Sequence, residues 1–186
     1  PICLFSRKAF RFWQPSPLGR DVITMPGDWR TWDLHRDCWV FAVADLAAST
    51  RTAADWTVCQ VWAVALSGDL FLLDQVRVQV APASHWDAIR GVLERWGSPA
   101  LYLEGSQHGT HLVADATRAG VVCRPLDADA DKWTRALPAA TRVGAGRVWL
   151  PAHAAWVDEL VEELAEFPNG AHDDCPDAVG LALQGV

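Results

Sequence analysis

Residues 38–45, Cys38-Trp39-Val40-Phe41-Ala42-Val43-Ala44-Asp45, form an unbroken apolar run closed by one carboxylate, and the reading of the whole chain starts there. A continuous run with β-branched and aromatic members fits a strand buried on both faces, with Asp45 at its carboxyl end. Downstream, TVCQVWAVAL and DLFLLDQVRVQV are separated by Ser67-Gly68 and read as a β-hairpin, so three antiparallel strands open the domain. Beyond Pro82 the period lengthens: Trp86, Ile89, Val92, Leu93 and Trp96 share a helical stripe that stops at residues 97–99. The strand ALYLE then ends in Glu104, a helix over 107–119 is closed by Gly120, and VVCRPL is a further short strand. Residues 129–140 read as a helix, 144–146 as a turn and 147–150 as a strand. An amphipathic helix over 152–166 stops at Phe167-Pro168-Asn169-Gly170, and a final helix begins near His172. A meander followed by alternating strands and helices predicts an α/β domain with a mixed sheet over 38–186. Upstream, Pro15, Pro17, Gly19, Pro26 and Gly27 interrupt every period, so residues 1–37 are expected to be an irregular lead-in.

With 186 residues, 51% apolar and 21% charged, the chain suits one buried core rather than disorder. No apolar run approaches the roughly 20 residues that cross a bilayer, and the first residues lack the layout of a secretion signal, so a cytosolic, membrane-free protein is expected. Five cysteines, odd in number and without a CxxC pair, read as reduced thiols. The net charge of −7 argues against a general nucleic-acid binder, but its distribution is uneven. From Pro151 onward there are eight acids and no Lys or Arg, whereas Arg124, Lys132, Arg135, Arg142 and Arg147 outnumber the acids between 124 and 150. Eleven tryptophans read mainly as core, although Phe10-Arg11-Phe12-Trp13 and Lys132-Trp133 interleave aromatic and basic side chains as base-stacking surfaces do.

Three acids are stranded where apolar segments end: Asp45, Glu104 and Asp174. A carboxylate beside a core carries a desolvation cost that falls if several converge on a cation. Singly, Asp45 also reads as a turn residue and Glu104 as a surface acid. Asp173, Asp174 and Asp177 crowd one helical start; the helix dipole accounts for the first two better than for Asp177. His172 could bind metal, position water or cap the helix. Hard cations such as Mg²⁺ or Mn²⁺ take oxygen ligands, so this donor set suits them. No phosphate-binding GxxxxGK[ST], serine elbow or HExxH occurs, so neither ATP hydrolysis nor those hydrolase mechanisms are expected from this segment.

The segments VFAVADLAASTRTAADWTVCQVWAV, ALYLEG, KWTRALPAATRVGAGRVWLP and FPNGAHDDCPDAVGLAL together cover nearly all of the chain from Cys38. In them the chain resembles the nuclease domain of the large terminase subunit, the DNA-packaging motor of tailed bacteriophages, which has an RNase H-like fold. The resemblance implies that Asp45, Glu104 and Asp174 are catalytic and bind two divalent cations, Mg²⁺ or Mn²⁺, with Asp173 and Asp177 as further ligands and His172 in support. Glu104 stands where family members more often carry Asp. It further implies endonucleolytic hydrolysis of double-stranded DNA, with two ions about 3.5–4 Å apart. Lys132, Arg135, Arg142 and Arg147 are the candidates for sequence-independent contacts to the DNA backbone, or else solvated surface charges. The implied partners are an ATPase domain of the same full-length protein, reached through residues 1–37 as part of a linker, a portal and a small terminase subunit, in the cytoplasm of an infected bacterium. Two other readings remain: a resolvase- or transposase-type nuclease of the same fold, and a docking domain, inactive alone, using the acidic helix over 158–166.

Overall fold

The computed structural model describes residues 3–19, 21–27, 29–47, 56–104, 110–126, 131–170 and 173–184. Strands β4 (Cys38–Asp45), β5 (Thr57–Ala65) and β6 (Leu70–Val78) form the expected antiparallel meander. On the other flank of β4 lie β7 (Ala100–Glu104) and then β8 (Cys123–Leu126), both parallel to it, and β9 (Val148–Pro151) runs parallel to β6. The lead-in segment is not irregular. It supplies β1 (Arg11–Pro15), which pairs parallel with β9, and the antiparallel pair β2 (Val22–Thr24) and β3 (Thr31–Asp33). The order among the described residues is therefore β3-β2-β1-β9-β6-β5-β4-β7-β8, one mixed sheet. Proline and glycine cut this segment into short strands without removing it from the sheet, and Pro15 stands at the end of its strand, where a missing N–H is tolerated. Trp13 is buried and donates its Nε1–H to the Leu72 carbonyl at 2.8 Å, tying β1 to the meander.

Because side chains alternate across a strand, β4 divides its residues between two cores. Phe41 and Val43 face one core, shared with α3 (Lys132–Gly144), α4 (Val157–Glu166) and α5 (Asp174–Gln184). Ala42 and Ala44 face the other, shared with α1 (His85–Arg95), α2 (Thr110–Arg118) and Trp13, Ile23 and Trp32 of the lead-in strands. The helices lie where the periodicity puts them, with shifted ends. Helix α3 starts at Lys132 because Asp131 caps it, accepting the Thr134 backbone N–H at 3.0 Å, and it continues through Pro138 to Gly144.

A β-bulge in β6 has no obvious signature in its sequence. Val61 pairs with Asp74 but Trp62 with Leu72, so Leu73 is the extra residue. Before it, Leu70 and Leu72 face the α5 core; after it the parity reverses, and Gln75 and Arg77 point to that side.

Trp13→Ala is expected to lower the unfolding free energy by about 3–5 kcal/mol, since a buried indole and a cross-strand hydrogen bond are lost together. Urea unfolding followed by circular dichroism measures it; a change within about 0.5 kcal/mol, the range of a surface substitution, would show that β1 is peripheral.

Candidate active site

Ala44 pairs with Leu103, so the next residues of the two parallel strands, Asp45 and Glu104, end side by side at the carboxyl edge of the sheet. Asp45 shares its face with Phe41 and Val43, and Glu104 shares its face with Tyr102, whose ring meets Phe41 edge-on at 6.1 Å. Both acids thus belong to the face on which α5 begins. The first turn of α5 carries Asp174 and Asp177, three residues apart, with Asp177 only 7% exposed. Two cations reach in from the first turn of α3. Lys132 Nζ lies 2.8 Å from Asp173 Oδ2 and 2.6 Å from Asp177 Oδ2. Arg135, itself 8% exposed, places Nη1 at 2.9 Å from Glu104 Oε1 and Nη2 at 3.6 Å from Asp177 Oδ1.

Burial and mutual repulsion set the charge of this group. Asp45 is pushed up to about 7 from an ordinary 3.8, first by desolvation and then by Asp177, Glu104 and Asp174, with Lys132 opposing. Asp174 rises to about 6, through desolvation and then Glu163 and Asp173, partly offset by a hydrogen bond from the Trp56 backbone and then by Arg77. Asp177 is also raised by desolvation, although Lys132 and Arg135 draw it back. For Lys132, burial works against its charge, but the hydrogen bonds to Asp173 and Asp177 outweigh it and the ammonium is held above its usual range.

Further charge stands behind α5, and the sequence pattern alone misses it. Arg77 Nη1 is 2.7 Å from Glu159 Oε1, and its Nη2 is 3.3 Å from Glu163 Oε2 and 4.0 Å from Asp174 Oδ2. Its guanidinium also covers the Trp56 ring at 4.5 Å from the centroid. Glu163 Oε1 accepts the Cys175 backbone N–H at 2.9 Å, satisfying one of the unpaired donors at the start of α5. Arg77 looks like an ordinary strand residue, and only the bulge turns it inward. Of the acids of α4 only Glu163 is buried; Glu159 meets Arg77 from the exposed side, and Asp158, Glu162 and Glu166 are exposed too, so the helix keeps an acidic outer face.

The structure brings Asp45, Glu104, Asp173, Asp174, Asp177, Lys132 and Arg135 together; His172 lies outside the described residues. Arg142 sits two turns further along α3, roughly 10 Å from Arg135 at 1.5 Å per residue. Arg147 does not belong here. It precedes β9, whose Val148 pairs with Leu70 at the opposite edge of the sheet, and it pairs with Asp69 at 3.4 Å.

The donor set fits a hard divalent cation. It offers carboxylate oxygens, several of which repel one another, and Asp174 Oδ2 is buried without a hydrogen-bond partner among the described residues. Among the described residues no three His, Cys, Asp or Glu side chains already surround one point as a metal-ligand set; Lys132 and Arg135 hold the carboxylates.

A mixed sheet with one acid at the end of each of two adjacent parallel strands and two more on a facing helix is an arrangement of the RNase H-like kind. Residues 42–185 match the model of the terminase RNase H-like domain, and the chain belongs to that family. Several of the solved structures that share its fold are large terminase nuclease domains. No curated protein matches the chain. Among solved structures, the large terminase nuclease of thermophilic phage G20c with bound magnesium superposes with a TM-score of 0.67 at 16% identity, over 99% of this chain and 98% of that one. The human cytomegalovirus terminase nuclease domain, soaked with manganese and inhibitor-bound, gives 0.63 at 13% identity, over 96% and 93%. The large terminase of another thermophilic bacteriophage, in complex with ADP, gives 0.57 at 11% identity; there 80% of this chain corresponds to 39% of that one.

A carboxyl whose folded pKa stands above its unfolded value lowers stability once the unfolded chain ionises, so metal-free protein gains stability through Asp45 as pH falls from about 7 towards 3.8. Asp45→Asn should therefore raise the urea midpoint at pH 8, with the advantage shrinking through that window and gone below it. A midpoint difference independent of pH would contradict the placement of Asp45. Arg77→Ala, which leaves Glu163 and Asp174 buried beside each other without their cation, should cost about 3–5 kcal/mol in the same assay.

Proposed function

We propose that this chain cuts double-stranded DNA during viral genome packaging, with Asp45, Glu104 and Asp174 as the catalytic acids and Asp177 and Asp173 as supporting ligands for two divalent cations, Mg²⁺ or Mn²⁺. The observation that carries the reading is the convergence of four carboxylates from β4, β7 and α5 on one face of one sheet edge, with Asp45 raised to about 7 by burial first and by its acidic neighbours second. When bound, the cations would lower the pKa of a water and stabilise charge on the leaving oxygen. The protein's own groups do the rest. Asp45 and Glu104, on rigid strand ends, and Asp174, held by the Arg77–Glu163 pair, fix where the ligand oxygens stand. Lys132 and Arg135 neutralise surplus negative charge; half-exposed Lys132 is assigned to the approaching phosphodiester, buried Arg135 acts from within the site rather than on the DNA backbone, and Arg142 extends the basic side of α3 along that backbone. His172, next to the α5 start in sequence, is assigned a supporting role.

Contacts to phosphates rather than bases make cutting largely sequence-independent and strongly salt-sensitive. The partners that go with this reading are the ATPase domain of a full-length terminase, a portal and a small terminase subunit, and the place is the cytoplasm of the infected bacterial host. Among the described residues no helix is long and apolar enough to cross a membrane.

Supercoiled plasmid incubated with Mg²⁺ or Mn²⁺ should pass to nicked and linear forms, EDTA should stop it, and Asp45→Asn should slow it by more than about a hundredfold, beyond the loss from changing a group that only orients a ligand. Undiminished cutting by Asp45→Asn would sink the assignment. Strong preference for a four-way junction over plasmid would favour a resolvase.

A further inference from the structure

An open cavity of about 700 Å³ lies at the sheet edge opposite the acids, where β6 and β9 begin. Among the described residues three guanidinium groups line it, Arg11, Arg30 and Arg147, against one carboxylate, Asp69. Each is held in place. Arg11 lies over the Trp149 ring at 5.6 Å, Arg30 lies over Trp32 at 5.5 Å, and Arg147 Nη1 stands 3.4 Å from the Asp69 carboxylate and 3.3 Å from the Ser67 carbonyl. Gly146, with φ +67°, makes the seat for Arg11: a Cβ there would lie 2.4 Å from Arg11 Nε. Guanidinium forks match phosphate oxygens, and side chains already ordered lose less freedom on binding. The carboxyl end of α3 reaches this cavity at Ala145 and opposes an anion through its dipole, an effect smaller than that of three cations.

Phe12, 37% exposed, lines the same cavity, and Trp29, next to Arg30 in sequence, is 89% exposed. Of the interleaved run Phe10-Arg11-Phe12-Trp13, Phe10 and Trp13 are core, which leaves Arg11 and Phe12 for a ligand. Exposed aromatic faces beside phosphate-binding cations suit unpaired bases, which can stack, better than a duplex, whose bases are already stacked. The site is remote from the acids. From Asp69 to Arg77 the β6 strand spans roughly 25 Å at about 3.3 Å per residue, and Trp149 belongs to the core on the other face of the sheet.

We propose that this cavity binds single-stranded nucleic acid, its phosphates on Arg11, Arg30 and Arg147 and a base on Phe12, so that the chain holds a strand it is not positioned to cut. The site stands independently of the nuclease reading.

The test is fluorescence anisotropy of a labelled single-stranded oligothymidylate with the full chain in EDTA, over a salt series. The double variant Arg11→Gln/Arg30→Gln should bind at least about tenfold more weakly, and its slope of log K against log salt should flatten by about 1.4, two contacts at about 0.7 each. Arg11→Lys/Arg30→Lys should keep the wild-type salt slope and recover part of the affinity, which separates lost charge from lost packing. Metal-dependent plasmid cutting should be unchanged in both variants. Unaltered oligothymidylate binding by the glutamine variant would overturn the proposal. So would equally tight binding of a duplex through the same arginines, or displacement of the strand by polyglutamate at equal charge.

Discussion

Four carboxylates are held within one sheet edge of each other, and most of the surrounding structure answers that electrostatic demand. Left alone, such a group would separate or protonate, and Asp45 is held above the usual carboxylate range by burial and, after it, by the neighbouring acids. Three devices keep it assembled. The register between β4 and β7 places Asp45 and Glu104 on rigid, adjacent strand ends. Lys132 and Arg135, one turn apart on α3, clamp Glu104, Asp173 and Asp177 from the side. Glu163 caps α5 from α4, and Arg77 pairs with Glu163, so the start of the helix bearing Asp174 and Asp177 is fixed from behind.

These devices explain why cations accompany so acidic a site. A buried carboxylate whose partner is removed costs far more than the pair contributes, so the internal cations confer position more than stability. They also bear on the uneven charge of the chain: Glu159, Glu163, Asp173, Asp174 and Asp177 of the last 36 residues are met at close range by arginine and lysine from β6 and α3, which lie far away in sequence. The opposite edge of the sheet has the reverse character, arginines laid on tryptophans, so the two ends of one sheet present opposite charge to solvent.

The lead-in strands show how local signals can mislead. Proline and glycine at 15, 17, 19, 26 and 27 do break regular structure, yet Trp13, Ile23 and Trp32 between them are buried against the meander. Short strands need only a few residues when neighbours supply the rest of the sheet, and no single-segment pattern reveals that neighbour. The acidic helix misleads in one residue only. Its composition looks solvated and most of it is, but Glu163 turns inward, where it pairs with Arg77 and caps α5.

By itself the sequence determined the meander, the alternation of strand and helix, and the acids at apolar run ends, because hydrophobic periodicity and an isolated carboxylate are local properties of a chain. Asp45, Glu104 and Asp174 were legible as candidates for that reason, and Asp177 by its helical spacing from Asp173 and Asp174. Tertiary structure alone decided which cations face them: Lys132 and Arg135 turn into the site, Arg147 departs to the far edge, and Arg77 enters through a one-residue bulge that reverses the face of its strand. Such choices depend on strand order, register and parity, which are set by packing between segments distant in sequence and leave no mark in any one of them.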